Sequence, residues 1–310
     1  MPALRLEKDQ IPAVFIYIVF IITSMIAFIR CGKPESALQS LPTPGGPCPE
    51  FVTGDITVSP RGIRPRRVHL WIGPEAQTKD GPLVFYWHGT GMSPKDAGFS
   101  IGKKNLKEIL GMGGMVVAPY PDRRSKPYPW YIANDETRED DLLVADEVVA
   151  CAIQKVGIDT RRIHVTGMSA GGLVTSDMAL RRSDYVASSS PHSGGIWCDR
   201  NYSRRSQHGG PPCPRAYPLQ GLARSASLII HGGSSDRAGD LNFEKTSEDF
   251  RHLISGNGGF TILCNHGRGH RIPTEAADAV WRFFQDHPWN VTPWPYANGL
   301  PRGFPNYCSL

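Results

Sequence analysis

Short apolar runs alternate with amphipathic stretches through most of the chain. Residues 83–88 (LVFYWH), 115–119 (MVVAP), 162–166 (RIHVT), 227–231 (SLIIH) and 260–264 (FTILC) are apolar, lack a helical period, and end in or against Gly, Pro or Asn. Runs of that length and composition read as buried strands. Between them, residues 97–110, 139–156, 170–181, 241–253 and 274–284 place apolar side chains at helical spacing. The stretch 139–156 (EDDLLVADEVVACAIQKV) is the most regular, with its acids in the first turn, where the helix macrodipole favours them. Residues 55–59 and 67–72 alternate as a hairpin pair, and 185–190 is strand-like. Buried strands separated by helices predict an α/β fold, a mostly parallel central sheet with helices on both faces.

Three regions depart from this pattern. Residues 11–29 (IPAVFIYIVFIITSMIAFI) carry no charge, and Arg5, Lys8 and Arg30 flank them. At ~1.5 Å per residue the run reaches roughly 28 Å, the thickness of a bilayer core. Residues 1–31 are therefore expected to be a transmembrane signal anchor or a signal sequence, giving the protein a membrane contact and an exported location, secreted or anchored. Residues 32–49, rich in Pro, Gly and Ser, read as a linker. Residues 194–221 have little periodicity and are expected to form a loop or small cap, and 288–310 a Pro- and aromatic-rich tail packed on the domain. That leaves 50–287 as the main domain.

Composition narrows the function classes. The net charge of +5 is small, and the Arg pairs are scattered without a nucleic-acid motif, so no nucleic-acid partner is expected. Six cysteines remain once Cys31 is set aside with the apolar segment. In an exported chain an even number suggests disulfides, and Cys198–Cys213 is the easiest pair to guess. No Cys/His spacing points to zinc, and no metal or organic cofactor is expected. The chain is expected to act as a monomer.

The candidate chemistry centres on Gly167-Met168-Ser169-Ala170-Gly171, a G-x-S-x-G motif between a strand and a helix. That context suits a sharp turn that holds the serine hydroxyl clear of the backbone, with helix N–H groups behind it. A serine hydroxyl needs a base to take its proton. After the strand 227–231 comes Gly232-Gly233-Ser234-Ser235-Asp236, which makes Asp236 the acid, with Asp240 as the alternative. After the strand 260–264 comes Asn265-His266-Gly267-Arg268-Gly269-His270, which makes His270 the base, with His266 second. The turn His88-Gly89-Thr90-Gly91 can aim the Thr90 N–H at an oxyanion together with that of Ala170. Trp197 and Trp130, beside Tyr131, are candidates to line the substrate pocket.

These segments, FYWHGTG at 85–91, DTRRIHVTGMSAGG at 159–172, IIHGGSSD at 229–236 and HGRGHRIP at 266–273, resemble the polyhydroxybutyrate-depolymerase and feruloyl-esterase branch of the α/β hydrolases. The resemblance spans about 50–287 and implies Ser169 as nucleophile, Asp236 as orienting acid and His270 as base. It implies a serine ester hydrolase acting on polyhydroxyalkanoate-type polyester or oligoester, or on feruloyl or acetyl polysaccharide esters. Many members place the acid four residues after the histidine of the H-G turn, whereas Asp236 stands five after His231. A serine peptidase of the same fold and a non-catalytic, membrane-anchored binding protein are the competing readings.

Overall fold

The alternating residues near the start of the domain form a hairpin. Strand β1 (Gly54–Val58) pairs antiparallel with β2 (Arg66–Ile72), which puts Ile56, Val58, Val68 and Leu70 on the buried face. The computed structural model from which this is drawn describes residues 38–133, 138–196, 219 and 221–310. The apolar runs that follow become β3 (Leu83–Trp87), β4 (Met115–Pro119), β5 (Ile163–Met168), β6 (Ser188–His192) and β7 (Ala226–His231). A small hairpin of β8 (Arg237–Ala238) and β9 (Leu241–Asn242) comes next, then β10 (Phe260–Asn265) and β11 (Cys308–Ser309). Nine strands make one sheet in the order β1-β2-β4-β3-β5-β6-β7-β10-β11. From β4 to β10 every neighbour is parallel, and the pairs β1–β2, β2–β4 and β10–β11 at the two edges are antiparallel.

The helices are α1 (Ala97–Ser100), α2 (Lys103–Gly111), α3 (Asp140–Lys155), α4 (Ala170–Arg181), α5 (Phe243–Ser255) and α6 (Ala277–Asp286). On one face Val144, Val148 and Val149 of α3 and Leu173 and Val174 of α4 pack on Phe85, Trp87 and Val165. On the other face Ile109 of α2 and Val280, Phe283 and Phe284 of α6 pack on Val84, Val116, Leu228 and Ile262. This two-faced burial explains why the central strands read as continuous apolar runs.

Several expected boundaries shift. The stretch 97–110 is two helices, because Gly102 adopts φ +89 between them. The strand expected at 185–190 starts at Ser188 and runs through Pro191. Tyr185 instead ends a turn, its N–H donating to the Arg182 carbonyl at 3.0 Å. Proline costs β6 only one N–H, and pairing with β7 resumes at His192. Helix α5 begins two residues later than its apolar spacing suggests: Leu241 and Asn242 pair with β8, and Asn242 Oδ1 caps the helix by accepting from the N–H groups of Glu244 (3.1 Å) and Lys245 (3.3 Å).

Residues 40–49, expected as a linker, pack on the domain. The Gly45 N–H donates to Glu147 at 2.7 Å, and Cys48 is disulfide-bonded to Cys151 of α3. In the C-terminal tail Trp289 is buried, its indole N–H donating to the Ser183 carbonyl at 3.0 Å. The last residues of the tail add β11 to the sheet edge, locked by Cys264–Cys308. Residues Ser40–Leu310 thus form a single unit. Among the described residues no helix is long and apolar enough to cross a membrane. The run 11–29, the rest of the segment 1–31, Trp197, Cys198 and Cys213 lie outside the described residues.

Burial holds several imidazoles neutral, which predicts a loss of stability in acid. Burial, with the nearby His266, pushes His192 from 6.5 down to about 4. Burial does the same to His287, which is boxed by Phe260, Phe283 and Tyr296. A histidine depressed in the folded state binds its proton better when unfolded. The stability is therefore complete above the unfolded value of 6.5 and is lost as pH falls toward 4. Urea unfolding is expected to show a lower midpoint at about pH 5 than at about pH 7.5, with roughly 2 kcal/mol lost per histidine. The carboxyls of Asp141 and Asp177, which burial pushes up, act in the opposite sense. Comparing the parent with His287→Phe at each pH cancels them. His88, His164, His231 and His266 are pushed down by burial as well, so the variant should recover only the His287 share, roughly 2 kcal/mol, and an unchanged drop would show that His287 is not held neutral.

Candidate active site

The parallel strands deliver their C-terminal ends to one rim, and the site gathers there. Strand order reverses between β3 and β5: β3 connects to β4 on one side, and the chain then crosses back to β5 on the other. Open α/β sheets bind ligands at such a reversal.

Ser169 sits at that reversal, immediately after β5. It holds φ +57 and ψ −120, a conformation that costs a non-glycine residue on the order of 1–3 kcal/mol. The backbone is fixed on both sides, the Ser169 N–H donating to the His192 carbonyl and the Leu173 N–H to the Ser169 carbonyl, each at 2.9 Å. The motif's glycines are explained by close approach. A Cβ on Gly171 would lie 2.0 Å from the Trp87 carbonyl oxygen, and one on Gly167 2.5 Å from the same atom. Only without those side chains can α4 start directly behind the serine.

His270 reaches Ser169 from the loop after β10. Its Nε2 lies 2.9 Å from Ser169 Oγ, and its Nδ1 lies 2.7 Å from Asp236 Oδ1. A carboxylate can only accept, so Nδ1 carries the proton and Nε2 is left to accept from the serine. The ring stacks on Phe243, centroids 4.7 Å apart. The pairing of β10 with β7 continues into the loop, where the His266 N–H donates to the His231 carbonyl and the Gly269 N–H to the Gly232 carbonyl. His266, the second candidate, is buried elsewhere: its Nδ1 accepts from the Arg268 N–H, and its ring meets Tyr307 edge-on.

Asp236 is fully buried. Its Oδ2 accepts from the Gly232 N–H at 2.7 Å and from the Ser193 hydroxyl at 2.8 Å. Burial alone would raise its pKa, but the bonds from His270, Gly232 and Ser193 together outweigh burial and hold the carboxyl below its usual value. The additional residue between His231 and the acid is taken up in a turn closed by the Asp236 N–H on the Gly233 carbonyl, 2.9 Å. Asp240 lies exposed in the turn between β8 and β9. Ser193 is a partner that the sequence pattern did not reveal. It stands at φ +46 just past β6, its N–H donating to the Ile230 carbonyl.

Thr90 is exposed beside the serine, and Ala170 is the first residue of α4. Trp130 does not face the substrate space. It is fully buried against Trp87, and its indole N–H donates to the His88 carbonyl at 2.7 Å, bracing the turn that carries Thr90. Its apolar bulk belongs to the core, so its place in the pocket wall is corrected to a strut beneath the rim. Among the described residues no group of His, Cys, Asp and Glu could hold a metal ion.

The sheet order, the helices on both faces and the serine at the strand-to-helix turn define the α/β-hydrolase fold. Within that fold the chain is similar to several esterases and a depolymerase. The solved structure of native pOPH aligns with a TM-score of 0.66 at 18% identity, covering 85% of this chain and 96% of that one. A ferulic acid esterase aligns with a TM-score of 0.53 at 15% identity, covering 74% of this chain and 94% of that one. Poly(3-hydroxyalkanoate) depolymerase C of Paucimonas lemoignei is 29% identical over 131 residues, which is 39% of this chain and 30% of the depolymerase. No family model matches the chain.

Proposed function

We propose that this protein is a serine carboxylic-ester hydrolase. The observation that carries the reading is the bonded series from Ser169 Oγ through His270 to Asp236, at 2.9 and 2.7 Å, beside a helix N-terminus. Ser169 attacks the ester carbonyl as its proton passes to His270 Nε2. The new C–O bond pushes charge onto the carbonyl oxygen, which the N–H groups of Thr90 and Ala170 hold. Collapse breaks the bond to the alcohol, which leaves with the proton from His270. Water then repeats the sequence on the acyl-enzyme and releases the acid.

The depolymerase relative makes a hydroxyalkanoate polyester or oligoester the first natural substrate to test, and the ferulic acid esterase a feruloyl ester the second. The disulfides Cys48–Cys151 and Cys264–Cys308 support an oxidising, exported location. The apolar run 11–29 supports the same route as a signal sequence or anchor.

The test is covalent. An alkyl phosphonate is expected to add one group to the Ser169 peptide of the folded full-length chain, and to abolish p-nitrophenyl butyrate hydrolysis in step. The parent should leave matched p-nitroanilides uncleaved, which separates an esterase from a peptidase. Unlabelled, folded protein would overturn the serine mechanism.

A further inference from the structure

We propose that the cavity beside Ser169 binds an uncharged, apolar limb of the ester, and that the β8–β9 hairpin is the wall that limits its size. The proposal rests on the ester-hydrolase reading. The cavity has a volume of about 390 Å³. At the ~30 Å³ that a water takes in the liquid, it holds roughly a dozen heavy atoms.

The walls come from separate elements. Helix α4 contributes Ala170 and Leu173, helix α5 contributes Phe243, and Ala133 lies on a further side. The hairpin contributes Ala238, Gly239 and Leu241. The polar groups are Thr90, Tyr128, Ser169 and His270. None of the described lining residues is Asp, Glu, Lys or Arg. Among the described residues, a carboxylate on the substrate would therefore lose water here without gaining a cation, which is unfavourable. A neutral limb loses nothing comparable and gains burial against Leu173, Leu241 and Phe243.

The hairpin is built as a fixed wall. Ala238 pairs with Leu241 across a turn of two residues, Gly239 and Asp240, so both side chains share one face. Both line the cavity, whereas Arg237 is exposed with its Nε donating to the Ser234 carbonyl. The strand ends are tied to the site. The Asp236 carbonyl accepts from the Phe243 N–H at 2.9 Å, and Asn242 caps α5. Ala238 is itself exposed at the cavity rim, so a larger side chain there narrows the space without entering the core.

The experiment compares the full-length parent with Ala238→Leu and Ala238→Lys on two series of esters, p-nitrophenyl esters of lengthening acids and butyrates of lengthening alcohols. It adds p-nitrophenyl hemisuccinate as the anionic probe. In the parent, kcat/KM should rise with length, by up to roughly fourfold per buried methylene, and stop rising once the cavity is full. The hemisuccinate should be at least roughly tenfold poorer than the pentanoate. Ala238→Leu should shorten the preferred limb by two or three carbons in one series. It should lower the longest well-fitting ester roughly tenfold while leaving the acetate within about twofold. Ala238→Lys should raise the hemisuccinate-to-pentanoate ratio roughly tenfold by supplying the missing cation. Length profiles and ratios in both variants that superimpose on an active parent's would overturn the pocket alone. A parent that cleaves no neutral ester and takes no phosphonate at Ser169 would overturn the ester-hydrolase reading, and the pocket with it.

Discussion

Ser169→Ala is expected to lower kcat for p-nitrophenyl butyrate by roughly a million-fold, with KM within about threefold of the parent. The size of the effect follows from what the substitution removes and what it leaves. The acyl-enzyme requires the serine oxygen, and water in its place has no covalent route. On the proposed mechanism the N–H groups of Thr90 and Ala170 would still stabilise an oxyanion, so a residual rate above that in water is expected. The fold should be undisturbed. Alanine at φ +57 carries the strain that serine already carries, and the backbone bonds at His192 and Leu173 do not involve the hydroxyl. His270 keeps its bond to Asp236. Purified parent and variant should give superimposable circular dichroism while their progress curves diverge. A variant within tenfold of the parent would remove Ser169 from the mechanism.

The residues whose chemistry stood out in the sequence were those that follow a strand and precede a helix. Ser169 carried a motif, and its flanking glycines have a steric reason in the approach of α4 to the Trp87 carbonyl. His270 could not be separated from His266 by spacing alone. The two differ in the pairing that continues past β10, a long-range contact with β7 that leaves no local signal. The same holds for Asp236 and Asp240. The small hairpin that carries Asp240 away from the site involves four paired residues, too few to show a period. Ser193 was hidden by Pro191, which reads as a strand end although β6 passes through it. Trp130 illustrates the opposite error. An aromatic next to a candidate loop suggested a pocket wall, but its size and its indole N–H are both used in holding the His88 carbonyl. The parallel sheet followed from the alternation of strands and helices, whereas the strand order did not. Nothing local says that β4 lies outside β3, because that order depends on how crossover helices pack once the sheet exists. The disulfides show the same limit, since Cys264 and Cys308 meet only because the tail returns to the sheet edge.

Asp236→Asn should lower kcat by roughly ten thousand-fold while preserving the fold and leaving KM nearly unchanged. The geometry assigns the cause to the tautomer of His270. Asp236 Oδ2 accepts two bonds, from the Gly232 N–H and the Ser193 hydroxyl. The hydroxyl can rotate, but the backbone N–H cannot become an acceptor. An asparagine here must therefore turn its carbonyl oxygen toward Gly232, which leaves its NH₂ facing His270 Nδ1, 2.7 Å away in the parent. Nδ1 then becomes an acceptor and the ring proton moves to Nε2. The proton so placed points at Ser169 Oγ, and the ring can no longer take the serine's own. Phosphonate labelling of Ser169 should slow in parallel with ester cleavage, because both need that proton removed. Near-ultraviolet circular dichroism should be unchanged, since the amide fills the carboxylate's space and keeps its bond to Gly232. A loss smaller than about tenfold would mean that stacking on Phe243 and the loop pairing orient His270 without help from the acid. Asp236 would then be a structural carboxylate, and the rate would depend on Ser169 and His270 alone.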